Sequence, residues 1–153
     1  MKKFELTSEF VTFLGKKLFR IKALISFGNV KEGELGGYVE KEENLSNNGD
    51  AWVCGDAWVC GNARVYGNAE VFGNARVSGN ADYATVHGFG SEYRTTTFFR
   101  TKAGDIGVRC GCFYGTLEEF RAKVKETHGE TKTAKEYLMV ADLMEFRFSK
   151  EEA

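Results

Sequence analysis

The chain has 153 residues with a formal net charge of −1, and 42% of them are hydrophobic while 28% are charged. This length and balance are typical of one folded domain and exclude a disordered tail. The near-zero net charge excludes a global attraction to nucleic acid or to an anionic membrane, and no apolar run is long enough to span a bilayer.

The N-terminal part is predicted to be a small β unit, over residues 1–48. The segments FELTSEF, VTFLG and KKLFRIKAL are rich in β-branched and aromatic residues and are interrupted at Gly15, so they predict a hairpin or a small sheet. The first ten residues lack the apolar core of a secretory signal, and the four cysteines therefore indicate reduced thiols. We expect a location in the cytoplasm.

A six-residue phrase is repeated from Gly49 onward, as GDAWVC, GDAWVC, GNARVY, GNAEVF, GNARVS and GNADYA. Valine and alanine recur every six residues, and a Gly-Asn or Gly-Asp pair separates the units. Such a period fits neither an α-helix nor a long flat strand, and it predicts short strands joined by tight corners in a β-solenoid over residues 49–86. Gly, Asn and Asp tolerate the left-handed backbone of such corners.

The C-terminal part, residues 87–153, is predicted to be a ββαα unit. SEYRTTTFFRT and IGVRCGCFY read as two strands joined at KAGD. Thr116 and Glu119 form a capping-box pattern, and Gly129 marks the end of that helix. In a second helix from about Thr133 to Phe148, the apolar face is wide, which predicts that the helix is clamped between other elements. The residues that widen it are Met139, Val140, Leu143 and Phe146.

Two resemblances add to this interpretation. The repeats resemble the left-handed β-helix of the hexapeptide-repeat family, in which residues eighteen apart stack; this implies Trp58 beneath Arg76, Trp52 beneath Glu70 and Arg64 beneath Asp82. The order LGGYVEKEENLS, VYGNA-type repeats, RTTTFFRTKAGD and CGCFYGTLEEFRAKVKETHG resembles a family of phage and prophage proteins that are often named after polymer-forming cytoskeletal proteins. The expected fold is therefore a short left-handed β-helix with an N-terminal β cap and a C-terminal ββαα unit.

The hairpin after the repeat is the predicted ligand site. It is rich in arginine and threonine with aromatic rings nearby, a composition suited to phosphate, although a half-solvated strand would show the same pattern. In an extended strand alternate residues share one face, so two guanidinium groups could bracket one ligand. The predicted ligand-binding residues are Arg94, Thr96, Thr97, Arg100 and Arg109.

Large aromatic residues in outward positions of the repeat predict an interface. Either the C-terminal unit, a second copy or a host protein is expected to cover them, and a homo-oligomer is favoured. The predicted interface residues are Trp52, Trp58, Tyr66 and Phe72.

Metal and cofactor chemistry have little support in the sequence. Cys110, Cys112 and His128 are weak candidates for a metal site, because C-x-C is not the spacing of common zinc motifs and both thiols could be small buried hydrophobes. We predict no metal and no cofactor.

The resulting functional hypothesis is a non-enzymatic accessory protein of phage origin. Its expected role is counter-defence in the bacterial host cytoplasm, by sequestering a phosphate-bearing small molecule such as a nucleotide immune signal. Two alternatives stay open: an inhibitor that binds a host defence protein directly, and a hexapeptide acyltransferase. The second is disfavoured because the chain has only two histidines and a short repeat. No membrane and no extended nucleic acid is an expected partner.

Overall fold

The computed structural model describes residues 2–90 and 92–149. Met1, Ser91 and residues 150–153 lie outside this part, so the predicted units 1–48 and 87–153 are described without them. The N-terminal strands are β1 (Phe4–Phe13), β2 (Lys16–Ala23) and β3 (Leu35–Val39). The repeat contains β4 (Trp52–Val53), β5 (Trp58–Val59), β6 (Glu70–Val71) and β7 (Arg76–Val77). The C-terminal elements are β8 (Tyr83–Phe89), β9 (Arg94–Arg100), β10 (Ile106–Cys110), β11 (Phe113–Thr116), α1 (Leu117–His128) and α2 (Lys132–Phe148).

The N-terminal hairpin is confirmed. β1 and β2 pair antiparallel around a turn in which Leu14 and Gly15 both have positive φ, of 51° and 76°. β2 then pairs antiparallel with β3, so the hairpin becomes part of a larger sheet.

The recurring valines and alanines of the repeat form the first hydrophobic core, as their six-residue period suggests. They are almost fully buried together with Phe4, Ile21 and Phe99 from the flanking elements. Each fully buried valine contributes roughly 1.5–3 kcal/mol relative to an exposed one. These positions are Val53, Val59, Val65, Val71, Val77, Ala51, Ala57, Ala63, Ala69 and Ala75.

The prediction of a left-handed β-helix is wrong. The described strands form three separate sheets: a five-stranded mixed sheet in the order β1-β2-β3-β5-β7, a two-stranded parallel sheet of β4 and β6, and a four-stranded antiparallel sheet in the order β11-β10-β9-β8. Neither a solenoid nor a closed sheet is formed by them. The physical reason is that a Gly-Asn or Gly-Asp corner every six residues leaves strands of only two residues. β5 and β7 add to the N-terminal sheet instead, because β5 pairs parallel with β3 and β7 pairs parallel with β5.

Residues eighteen apart nevertheless pair within these sheets. Trp58 pairs with Arg76 and Trp52 with Glu70, both in parallel register. The Arg76 guanidinium lies 4.0 Å from the centre of the Trp58 ring, which is a cation–π contact. The expected pairing of Arg64 with Asp82 is not seen among the described residues, because Asp82 instead accepts a hydrogen bond from Arg100 at 2.9 Å.

The C-terminal unit has four strands rather than the two that were predicted. β8 begins at Tyr83, inside the last repeat, and pairs antiparallel with β9. The segment IGVRCGCFY is not one strand, because Gly111 has a φ of 59° and turns the chain between β10 and β11. The C-terminal unit is therefore a four-stranded antiparallel sheet followed by two helices, where a ββαα unit was predicted.

The two C-terminal helices are present, and α1 begins at the expected capping box. Thr116 accepts a hydrogen bond from the Glu119 amide, and the Glu119 carboxylate accepts one from the Thr116 amide. Gly129 follows α1 with a φ of 59°. The expected clamping of α2 is wrong, because Met139, Leu143 and Phe146 are exposed; only Val140 of the four widening residues is buried.

The four-stranded sheet separates two cores, because side chains alternate between its faces. Phe99 packs with the repeat, whereas Phe98 and Val108 pack with α1 and α2. The face toward the repeat also carries Thr97, whose hydroxyl accepts a hydrogen bond from the Glu70 amide at 2.9 Å. The sheet is thus docked on the repeat through one face and covered by helices on the other. Neither helix is long and apolar enough to cross a membrane.

Candidate functional site

A cavity of about 640 Å³ lies where three parts of the chain meet. One side is the segment between β2 and β3, represented by Asn29 and Glu34. The floor includes Trp52 and Phe72 of the repeat, and the third side is the repeat-facing surface of the four-stranded sheet. Ligand pockets typically enclose about 300–1,000 Å³, so the cavity has room for a small organic molecule.

The sheet side of the cavity carries cationic and hydroxyl groups. Thr97 and Arg109 are directly opposed in β9 and β10, and His87 and Thr95 are opposed in β8 and β9, so these side chains lie on the same face. The His87 Nδ1 and Thr95 Oγ1 atoms are 2.8 Å apart. His87, Thr95 and Arg109 all line the cavity.

Arg109 is held in place by the repeat. Its Nε donates to the Glu70 carboxylate at 2.9 Å, and its guanidinium lies 4.5 Å from the centre of the Phe72 ring. Neither side chain of this ion pair is fully buried. The carboxylate therefore positions the guanidinium but also competes with any anion that would bind it.

Arg94 enters the same cavity from the beginning of β9. Its Nη2 donates to Glu92 at 2.8 Å, and this exposed carboxylate raises the pKa of Arg94. The guanidinium lies against Gly111: a Cβ atom at that position would be 1.8 Å from Nη1. The turn glycine thus supplies the space that the Arg94 side chain occupies.

The opposite side of the cavity is acidic and amidic. Glu34 and Asp50 line it together with Asn29 and Asn68. Trp52 is almost fully buried and packs edge-on against the Phe27 ring, with the ring centres 5.3 Å apart. Its indole N–H has no hydrogen-bond acceptor among the described residues. The cavity lining therefore carries charges of both signs, with cations on the sheet and carboxylates on the facing loops.

Cys54 also lines the cavity, but it is not a nucleophile at neutral pH. Burial, with a smaller contribution from Glu70, raises the pKa of its thiol to about 12. A thiol with this pKa is protonated at neutral pH, and the thiolate is the reactive form.

The structure brings together two of the five predicted ligand residues. Arg94 and Arg109 line the cavity, whereas Thr96 and Thr97 are buried within the sheet. The Thr96 hydroxyl lies 3.2 Å from the Cys110 sulfur on the helix side. Arg100 lies elsewhere: it binds Asp82 and its guanidinium is 5.3 Å from the centre of the Phe148 ring.

His87 and Thr95 were not among the predicted ligand-binding residues. Strand alternation contained the signal, because Thr95 shares a face with Thr97 rather than with Arg94 in a regular strand. The partner strand β8 was not predicted at all, so nothing placed His87 beside Thr95. Nothing in the sequence indicated that Glu34 and Asp50 line this cavity. They approach the arginines only because of the way in which the sheets are arranged.

The predicted interface residues are largely covered within the chain. Trp52 packs against Phe27, Trp58 lies between Arg76 and Phe13, and Phe72 contacts Tyr114 with ring centres 4.8 Å apart. Tyr66 stays exposed. Part of this aromatic set is therefore covered within the chain, and an interface at these residues stays a prediction.

The three weak metal candidates are not brought together as a ligand set. Cys110 and His128 both line a smaller cavity of about 250 Å³ between the sheet and α1, whereas Cys112 is exposed in the turn after β10. In residues 2–90 and 92–149, no group of three or more His, Cys, Asp or Glu side chains could hold a metal ion.

A comparison of the chain with models of known protein families and with curated proteins found no match.

Proposed function

We propose that the protein is a non-enzymatic binding protein that holds a phosphate-bearing small molecule, such as a nucleotide, in the cavity between the repeat and the four-stranded sheet. The observation that carries this proposal is that Arg94 and Arg109, from different strands, line the same cavity as the His87–Thr95 pair. Guanidinium groups form strong, often bidentate, charge-assisted hydrogen bonds with phosphate oxygens, and a hydroxyl group can donate a further bond.

The rest of the cavity fits the remainder of a nucleotide. Phe72 is partly exposed and offers apolar surface to a base, while Glu34, Asn29 and Asn68 offer acceptors to its amino groups. The ion pair of Arg94 with Glu92 is exposed, and exposed pairs contribute only about 0.2–1 kcal/mol, so a phosphate can displace the carboxylate at little cost.

The biological role stays a hypothesis supported by the resemblance to phage proteins: sequestration of a nucleotide signal of the host's defence. The alternative in which the chain inhibits a host defence protein directly, and the acyltransferase alternative, also stay predictions. Acetyl-CoA belongs in the ligand panel for that reason.

A thermal-shift panel of inorganic phosphate, cyclic nucleotides, ADP-ribose and acetyl-CoA tests the proposal, followed by calorimetry on the compound with the largest shift. Arg94→Ala and Arg109→Ala should each weaken binding by about 1.5–3 kcal/mol, because each removes a charge-assisted hydrogen bond. Arg64→Ala is the matched control, since Arg64 is exposed on the repeat outside the cavity.

Two outcomes would contradict the proposal. One is a panel in which no phosphate-bearing compound changes the melting temperature. The other is unchanged binding by both Arg94→Ala and Arg109→Ala. A further variant, Arg100→Ala, separates this site from the one that the sequence predicted, and it should bind the ligand as tightly as the wild type.

A further inference from the structure

An apolar stripe runs along the solvent-facing side of α2. Met139, Leu143 and Phe146 are 70%, 57% and 78% exposed, respectively. They are spaced four and three residues apart, which places them on one side of a helix. The opposite side of α2 is buried against α1 and the four-stranded sheet. A contiguous row of large exposed apolar side chains is characteristic of an interaction site.

We propose that this stripe binds the same stripe of a second copy of the chain, with the two α2 helices antiparallel about a twofold axis near Leu143. A twofold interface must be complementary to itself. In this arrangement Leu143 lies at the centre, and Met139 of each copy packs against Phe146 of the other. Flexible methionine and flat phenylalanine side chains pack well together.

Charge complementarity fixes the direction of the pairing. Glu136 lies at one end of the stripe and Arg147 at the other, and neither forms an ion pair among the described residues. An antiparallel pair brings Glu136 of one copy beside Arg147 of the other, twice by symmetry. A parallel pair would separate Glu136 of one copy from Arg147 of the other by the length of the stripe.

The acidic residues next to the stripe are only partly compensated within the chain. Arg121 of α1 binds Asp142 at 2.9 Å and Glu145 at 2.8 Å, and the same guanidinium also binds Glu118. One positive charge therefore offsets only part of three negative charges. The twofold pairing places Asp142 near its own copy, so Arg121 reduces the repulsion there and does not remove it.

The interface is small and independent of the cavity. A helix pair alone buries less than the roughly 1,200–2,000 Å² of a standard stable interface, so we expect a dimer that dissociates on dilution. α2 packs on the face of the sheet opposite to the one that lines the cavity. Dimer formation therefore does not depend on the proposed ligand site.

Sedimentation velocity over a range from low-micromolar to high-micromolar protein tests the proposal. The wild type should shift from monomer to dimer across this range, and Leu143→Arg should stay monomeric because it places a charge at the centre of the stripe. The matched control is Tyr66→Arg, which adds the same charge at an exposed aromatic residue of the repeat and should dimerise like the wild type. Circular dichroism confirms that each variant is folded.

A charge exchange tests the direction. Glu136→Arg should weaken the dimer severalfold, and the double variant Glu136→Arg with Arg147→Glu should restore it, since the pairs are then reversed. A wild type that stays monomeric at the highest concentration overturns the proposal, as does a folded Leu143→Arg that dimerises normally. A double variant that fails to recover affinity overturns the antiparallel arrangement.

Discussion

Lys3 is a charged residue almost without solvent contact. It is 1% exposed, and its Nζ donates to the Ala51 carbonyl at 2.6 Å while lying 4.6 Å from the centre of the Phe27 ring. Burial lowers the pKa of this lysine from 10.5 to about 8, and Asp50 pulls it upward. The ammonium group ties the beginning of β1 to the first repeat, but its charge is kept at a cost in free energy.

This lowered pKa predicts how stability depends on pH. Between about pH 8 and pH 10.5 the unfolded chain keeps the Lys3 proton that the folded chain has lost, so the free energy of unfolding should rise with pH. Comparison with Lys3→Met isolates this effect. Relative to Lys3→Met, the free energy of unfolding of the wild type should rise by about 2–3 kcal/mol between pH 7 and pH 10. Urea unfolding at both pH values measures it.

The control for loss of a lysine charge is Lys31→Met, at an exposed position in the segment between β2 and β3. A difference between the wild type and Lys3→Met that is the same at both pH values would contradict a lowered pKa at this residue.

At the level of the elements, the corners of the repeat differ in how closely the neighbouring backbone approaches their glycines. Gly61 and Gly67 have nearly the same φ, of 63° and 67°. A Cβ atom on Gly61 would lie 2.5 Å from the Ser78 carbonyl oxygen, whereas a Cβ atom on Gly67 would meet nothing within 4 Å. The two corners share the left-handed conformation and differ in crowding.

Substitutions at Gly61 and Gly67 separate the cost of a strained backbone from the cost of steric crowding. Gly67→Ala should destabilise the fold by about 1–2 kcal/mol, the cost of a left-handed backbone for a residue with a Cβ. Gly61→Ala should cost clearly more, because the backbone at Ser78, directly after β7, has to move. Thermal or urea unfolding of the two variants measures the difference, and equal destabilisation would show that crowding at Gly61 contributes nothing.

The same elements show what the sequence could predict. The period of six residues locates the corners and the buried valines, because both depend only on neighbours along the chain. It does not say which strand pairs with β5. Gly36 and Gly37 in β3 decide that, since a Cβ atom on them would lie 2.5 Å from the Val53 oxygen and 2.7 Å from the Ala57 oxygen. Their lack of side chains lets the hairpin sheet approach the repeat.

For the candidate site, the sequence predicted the types of residue that bind better than it predicted which residues lie together in the cavity. Arg94 and Arg109 were recognisable as excess positive charge after the repeat. Their meeting with Glu70 and Phe72 could not be predicted, because it depends on a sheet that docks on the repeat through Thr97 and Arg109. A strand such as β8, which begins inside the last repeat, is hidden by the repeat pattern itself.

At the level of the whole molecule, Glu70 links the docking of the sheet to the proposed ligand site. Its carboxylate binds Arg109 across the boundary between the repeat and the sheet, at 2.9 Å, and it also lines the cavity. One carboxylate therefore stabilises the arrangement of the two parts and competes with an anionic ligand for the same guanidinium. Stability and ligand affinity should respond to it in opposite directions.

Glu70→Gln removes the charge and keeps the shape, so the two effects can be measured in one variant. Unfolding should become easier by at most about 1 kcal/mol, because the ion pair is partly exposed. The affinity for a phosphate-bearing ligand should rise severalfold, since Arg109 is released and the cavity becomes one charge more positive. Glu43→Gln is the control, because it makes the same change of charge at an exposed residue outside the cavity. An equal gain of affinity in both variants would mean that only the net charge of the protein matters, and a loss of affinity in Glu70→Gln would mean that the carboxylate positions Arg109 for the ligand rather than competing with it.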